Sequence, residues 1–179
     1  MNLVEFFKLI GKLKTIKRTG WVNHKVPNPE SVADHSYRVS LMAMVLAPQV
    51  GADVNKCVKM ALVHDIGEAK VGDIVKFQGG GFLPGYQEKI QKETRAVEEI
   101  TEAIEGGEYS ELFKEYAQNQ TKEARLVKQV DKLERALQAQ EYEEEYGINL
   151  EEFFESADIL IKDENLKEIL IEIEKLRNI

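Results

Sequence analysis

Apolar side chains recur every three or four residues along most of the chain, which is the spacing of amphipathic helices. The first such stripe joins Leu3, Phe6, Phe7, Ile10 and Leu13. The last joins Leu166, Ile169, Leu170, Ile173 and Leu176. No segment alternates apolar and polar residues for long enough to predict a β-strand. The pattern therefore predicts an all-α fold, a helical bundle.

Local signals predict where the helices begin and where loops interrupt them. Ser31, followed three residues later by Asp34, is typical of a helix start, and Asp53 is expected to cap the next helix. Longer helices are predicted over Tyr86–Ile104, Glu111–Ala117 and Thr121–Tyr146. Glycine and proline predict a loop over Lys17–Pro29 and a second, mobile loop over residues 79–85, beside a site.

Length and composition favour one soluble domain. The 179 residues, 43% of them hydrophobic, are enough for a single core over residues 1–179. We expect the motif-bearing core at about residues 31–135, with the helices of residues 150–178 packed on it or placed at a dimer interface. A net charge of −8 argues against a nucleic acid polymer as partner, because phosphate backbones need a basic surface. The lack of a long apolar segment argues against a membrane span, and the single cysteine, Cys57, favours the cytoplasm.

Histidine and carboxylate groups interrupt the apolar faces of three predicted helices. His64 and Asp65 end an otherwise apolar helical segment, and His35 lies on the apolar face of its own helix. Asp131 lies beside the apolar face of the long helix. Burying an ionised carboxylate is costly unless it is paired or bound to a metal. The sequence therefore predicts that these four side chains meet in the interior.

Two imidazole nitrogens and two carboxylate oxygens suit a borderline divalent ion, namely Mn²⁺, Co²⁺, Fe²⁺, Ni²⁺ or Zn²⁺. Taken singly, the residues have simpler explanations. His35 alone is more often a hydrogen-bonded core residue than a ligand. Asp131 could pair with Lys128 or Arg135 on its own helix. Adjacent His64 and Asp65 point about 100° apart on a regular helix. The ion is therefore expected near the end of that helix, where both side chains can turn toward it.

Four short segments surround these residues: ESVADHS at residues 30–36, ALVHD at 61–65, VGDI at 71–74 and VKQVDK at 127–132. Together these segments resemble the HD-domain 5′-deoxynucleotidase family. The resemblance implies a single domain of the HD type, with its metal held by His35, His64, Asp65 and Asp131. It also implies a homodimer and the release of phosphate from deoxyribonucleoside 5′-monophosphates.

The same resemblance assigns further residues around the metal. Glu68 and Asp73 are implied in catalysis, or in holding substrate or a weak second ion, Mg²⁺ or Mn²⁺. Position alone favours a solvated carboxylate at a helix end for Glu68 and a turn residue for Asp73. Arg18 matches the family's substrate-contacting arginine, and Trp21 stands three positions after it, whereas in some members a tryptophan follows directly. Lys76 is a second candidate cation for the phosphate.

Two other functions stay open at this point. One is an HD-type phosphodiesterase, or a hydrolase of another nucleotide. Sites with two metals bridged by extra histidines need more than His24, the one histidine left over, so the sequence argues for one histidine-bound ion. The other is a non-catalytic, metal-retaining interaction module, for which the acidic segment Glu141–Glu145 and the C-terminal helix could serve partners.

Overall fold

The computed structural model describes residues 2–74, 77–78, 81–82, 86–102 and 104–177. The helices in these ranges are α1 (Leu3–Ile10), α2 (Thr19–Asn23), α3 (Val32–Leu46), α4 (Val54–Val63), α5 (Glu68–Val71), α6 (Tyr86–Glu102), α7 (Gly107–Gln118), α8 (Lys122–Tyr146), α9 (Glu151–Leu160) and α10 (Glu164–Lys175). A short antiparallel pair of strands is formed by β1 (Phe77–Gln78) and β2 (Gly81–Phe82). The prediction of an all-α fold is confirmed, since these strands only form a hairpin between helices. None of the described helices combines the length and apolar character needed to cross a membrane.

Side-chain caps set the beginnings of the helices that carry the site. Ser31 and Asp34 form a capping box at the start of α3, in which each side chain accepts the other residue's backbone N–H. Asp53 caps α4, and Thr121 caps α8. Each cap satisfies an N–H group that the first turn of a helix leaves unpaired. These helix starts were therefore predictable from the local sequence.

Two predicted boundaries were wrong. The segment Lys17–Pro29, predicted as a loop, contains the short helix α2. The N–H of Thr19, the first residue of α2, donates to the carboxylate of Asp73 at 2.5 Å. A side chain distant in the sequence thus takes the place of a local cap. Helix α7 begins at Gly107 instead of Glu111, and it has no capping side chain that would have marked its start.

Helix α8 forms the centre of the bundle. Helices α3, α4, α7, α9 and α10 all pack against it. Val130 and Leu133 on α8 are fully buried and belong to the same hydrophobic cluster as Phe154 of α9 and Leu166 of α10. The C-terminal helices therefore pack on the motif-bearing core. This packing places Asp131 of α8 opposite the inner ends of α3 and α4.

Candidate metal centre

The four predicted metal ligands lie together at one buried point. Candidate ligand atoms of His35, His64 and Asp131 lie within 4.8 Å of one another. The Nε2 atom of His35 is 3.3 Å from Oδ1 of Asp131. Oδ2 of Asp65 lies 3.2 Å from Nε2 of His64 and 3.9 Å from Nε2 of His35. Two nitrogens and two carboxylates from three parts of the chain therefore face a common centre.

Hydrogen bonds at the Nδ1 atoms leave the Nε2 atom of each histidine for a metal. Nδ1 of His35 donates to Oε2 of Glu134 at 2.5 Å. Nδ1 of His64 donates to the carbonyl oxygen of Ala61 at 2.6 Å. Neither Nε2 atom has a hydrogen bond within the described part of the chain. Buried polar atoms are rarely left without a hydrogen bond. Metal-binding histidines are typically oriented by Nδ1–H hydrogen bonds like these. The donor set therefore fits a divalent cation.

The break after α4 allows neighbouring ligands to face the same centre. Helix α4 ends at Val63, and the chain turns through residues 64–67 before α5 begins. This turn brings His64 and Asp65 toward one point, which a regular helix would not do. Helix α4 does not continue past Gly67. Glu68 instead begins α5, where it is buried and lines the same cavity as Asp65.

The two carboxylates of the cluster, the candidate ligands Asp65 and Asp131, also contact cations. Oδ2 of Asp65 accepts a hydrogen bond from Nη1 of Arg18 at 3.1 Å. Oδ2 of Asp131 accepts from Nζ of Lys132 at 2.7 Å and from the hydroxyl of Tyr116 at 3.3 Å. Burial opposes the charge of Asp131, but Lys132 and the two histidines hold its pKa well below the usual range. Asp131 is therefore ionised, as a metal ligand must be.

Glu134 accepts the hydrogen bond from Nδ1 of His35, on the side of the ring opposite the cluster. Sequence reasoning missed this residue. It is fully buried on α8, and its second oxygen accepts from Nε of Arg38 at 2.9 Å. Burial and the charge of Arg18 lower the pKa of His35, but Glu134 and Asp131 raise it to about 9. A cation at Nε2 must therefore displace a proton at neutral pH, so metal affinity should rise with pH. The available signal was the spacing of Glu134, three residues after Asp131 on the buried side of α8.

We expect Glu134→Ala to weaken metal binding by about tenfold to a hundredfold, the usual cost of losing an outer partner of a ligand. The imidazole of His35 would lose the acceptor that fixes its orientation. Metal affinity is measured by chelator competition, with thermal unfolding of each variant recorded beside it. Glu141→Ala is the matched control, because Glu141 is the more exposed partner of Arg38. Equal metal affinity in both variants would contradict a positioning role for Glu134.

Asp73 connects α2 to the metal centre. Its Oδ2 accepts the N–H of Thr19, and its carbonyl oxygen accepts the Thr19 hydroxyl at 2.6 Å. Its Oδ1 lies 3.9 Å from Nη1 of Arg18, which also binds Asp65. Burial lowers the pKa of Arg18, but Asp73 and Asp65 more than offset this and raise it well above the usual value. The guanidinium of Arg18 is therefore held between two carboxylates at the edge of the centre.

Trp21 forms part of the cavity wall and is fixed by its own contacts. It is 1% exposed, and its Nε1 donates to Oε1 of Glu30 at 2.9 Å. Its ring stacks on Phe153 with 4.2 Å between the centroids. The wall that it offers to a ligand is therefore rigid.

Of two further residues named in the sequence analysis, the structure describes one, His24. Lys76 lies outside the described residues, as do most of residues 79–85. His24, the remaining histidine, lies away from the cluster, with its Nε2 at 2.8 Å from Oε1 of Glu152. The histidines at the centre are thus His35 and His64.

The centre opens into a cavity of about 530 Å³. This volume is in the range of pockets for small-molecule ligands. The lining contains Glu68 and Asp73 and, among the described residues, six cations: Arg18, Arg125, Lys128, Lys132, Arg135 and Lys162. Sequence reasoning missed the cations of α8 as a group. Their spacing of three or four residues around Asp131 was the signal, and it gives an acidic chain a locally basic wall.

Comparisons with known proteins identify the family to which the chain belongs. The model of the HD domain family matches residues 10–170. The chain is 47% identical to 5′-deoxynucleotidase HDDC2 of Dictyostelium discoideum, over 87% of each chain. It is 41% identical to 5′-deoxynucleotidase HDDC2 of Danio rerio, over 88% of this chain and 78% of the relative. A solved structure of a conserved hypothetical protein from Pyrococcus furiosus is similar with a TM-score of 0.80 and 39% identity, over 96% of this chain and 99% of that one.

Proposed function

This chain belongs to the HD domain family, and on that basis we propose that it is a 5′-deoxynucleotidase, releasing phosphate from deoxyribonucleoside 5′-monophosphates. The observation that carries the proposal is the buried cluster of His35, His64, Asp65 and Asp131 beside a cavity of mononucleotide size. The similarity to proteins named 5′-deoxynucleotidase supports the choice of substrate.

We propose that the four clustered residues hold one divalent transition metal. His35 and His64 would contribute their Nε2 atoms, and Asp65 and Asp131 would contribute carboxylate oxygens. An ion such as Mn²⁺, Co²⁺, Fe²⁺, Ni²⁺ or Zn²⁺ would, when bound, draw charge from the phosphoryl group and acidify water. The Nδ1–H bonds of the two histidines keep their rings oriented for this purpose.

Glu68, Asp73 and Arg18 are proposed to act on the substrate. The buried carboxylate of Glu68 lines the cavity, where it can take a proton from water or give one to the leaving 5′-oxygen. Asp73 shares this proton transfer or, with Glu68, holds a weak second ion, Mg²⁺ or Mn²⁺. The guanidinium of Arg18 offers paired N–H groups to the phosphate. Lys76 remains a candidate cation, with no described position.

We expect deoxyribonucleoside 5′-monophosphates to be hydrolysed about tenfold to a hundredfold faster than ribonucleotides or 3′-phosphates. Contacts with Phe153 and Glu30 fix Trp21 in the cavity wall, so a ribose 2′-hydroxyl placed against it would clash or stay without a hydrogen bond. Leaving one buried polar group without a hydrogen bond costs about tenfold to a hundredfold in rate. Phosphate release is measured for dAMP, dCMP, dTMP, their ribonucleotides and their 3′-isomers with Mn²⁺ or Co²⁺ added. Equal rates for dAMP and AMP would contradict the deoxy preference only. No release from any monophosphate would contradict the phosphohydrolase proposal itself.

We further propose that the protein is a cytoplasmic homodimer. The outer face of α3 exposes a continuous apolar stripe: Tyr37, Leu41, Met44 and Val45, between 41% and 66% exposed. Exposed apolar patches of this kind often mark protein interfaces, and a two-fold pair of α3 helices would cover both copies. The single cysteine, Cys57, is buried and free, which suits a reducing compartment.

A further inference from the structure

Arg135 is a cation of the cavity wall for which the described residues provide no ion pair. It lies four residues after Asp131 on α8, so the two side chains share one helix face, and both line the cavity. Its Nη2 donates to the hydroxyl of Ser156 at 2.8 Å, and its buried Nε has no hydrogen bond to any described residue. The guanidinium carbon lies 5.7 Å from the centroid of the Phe153 ring. Its direct contacts are therefore with neutral groups.

Two neighbouring cations each form an ion pair with a carboxylate, whereas the described residues provide none for Arg135. Arg18 lies 3.1 Å from Asp65, and Lys132 lies 2.7 Å from Asp131. Burial lowers the pKa of Arg135. The negative charge of Asp131 raises this pKa in part, and the positive charge of Arg18 lowers it further. A buried charge without a close counter-charge reduces stability. Such a residue beside a cavity is best explained by an anion that arrives with the ligand.

The phosphate is the part of a nucleoside monophosphate that carries negative charge. Arg135 lies at the metal end of the cavity, one helical turn beyond Asp131. The charges of Asp131 and Arg18 both shift its pKa. A guanidinium has five N–H donors in a planar fork, which matches two oxygens of one phosphate. The phosphate oxygens would also supply the hydrogen-bond acceptors that the described residues do not.

We propose that Arg135 is a phosphate-binding residue, contacting the phosphoryl group of the substrate and the inorganic phosphate product. The proposal rests on the proposed phosphohydrolase function and adds a binding residue to it. Arg18 holds the phosphate from the side of α2, and Arg135 holds it from the side of α8.

The test compares Arg135→Met, Arg135→Lys and the wild type, all loaded with metal. Binding of inorganic phosphate and of an unphosphorylated deoxynucleoside is measured by calorimetry, together with KM and thermal unfolding. We expect Arg135→Met to weaken phosphate binding and raise KM by about tenfold to a hundredfold, the usual value of charge-assisted hydrogen bonds. Arg135→Lys should recover part of this loss, because it keeps the charge without the fork. Metal content and deoxynucleoside binding should stay unchanged, and Tm should stay equal or rise because a buried charge is removed. Arg95→Met on the exposed face of α6 is the control and should match the wild type.

Two results would overturn the proposal. Unchanged phosphate affinity in Arg135→Met, with a lower Tm, would make Arg135 a structural residue. Weaker deoxynucleoside binding with unchanged phosphate affinity would place the residue against the base or sugar. Equal phosphate affinity in Arg135→Lys and wild type, together with the loss in Arg135→Met, would support phosphate binding through the charge of residue 135 and not through its paired N–H groups. If the wild type hydrolyses no monophosphate yet binds inorganic phosphate through Arg135, the proposed function fails while the phosphate site stands.

Discussion

The Asp65→Ala protein should contain little transition metal and should have no measurable phosphatase activity, whereas the wild type should hold about one ion per chain. Oδ2 of Asp65 lies 3.9 Å from Nε2 of His35 and 3.2 Å from Nε2 of His64. A methyl group cannot replace it as a ligand. The loss in metal affinity should exceed the roughly tenfold to hundredfold cost of removing an outer partner such as Glu134.

Elemental analysis of the purified proteins measures this directly. Asp158→Ala is a suitable control, because Asp158 is exposed on α9 and pairs only loosely with Lys167, at 3.7 Å. Its metal content should equal that of the wild type. Equal metal in Asp65→Ala and wild type would show that Asp65 is not a ligand, and would leave a site of His35, His64 and Asp131 to be tested in turn.

Glu68→Ala should keep its metal and lose about 10²–10⁴-fold in turnover, the usual contribution of a general acid or base. Glu68 lines the cavity beside the ligands but belongs to α5, outside the four-residue cluster. Glu68→Gln is the matched variant, because it keeps the shape of the side chain without the carboxylate. Metal content by elemental analysis and steady-state phosphate release are the two measurements. Near wild-type turnover in Glu68→Ala, with metal intact, would contradict the catalytic assignment.

Excess Mn²⁺ or Co²⁺ separates the two roles proposed for Glu68 and Asp73. Rescue of Glu68→Ala by added ion would favour a second metal, and no rescue would favour proton transfer. Asp73→Ala needs a further control, because Asp73 also accepts the first N–H of α2 from Thr19. Thermal unfolding of that variant distinguishes a loosened helix from a lost catalytic group.

The sequence predicted the helices and the ligand cluster because their signals are local. Periodic apolar residues define the buried face of a helix, and caps such as Asp53 and Thr121 bind backbone groups within three residues of themselves. His35 and Asp131 could be recognised because each interrupts an apolar face, where an isolated polar group would be costly. The family resemblance added Glu68 and Asp73, which position alone did not distinguish from solvated residues.

The sequence by itself thus determined the fold class, the helices that carry the site and the four groups that could meet there. Only the tertiary structure decided what lies around them. Helix α2 takes its cap from Asp73, and His35 takes its acceptor from Glu134, 99 residues away. The contacts of Arg135 with Ser156 and Phe153 likewise follow from the packing of α8 against α9. Such contacts depend on how helices pack, and no spacing along the chain encodes them, because a side chain's partners across a core are set by the fold as a whole.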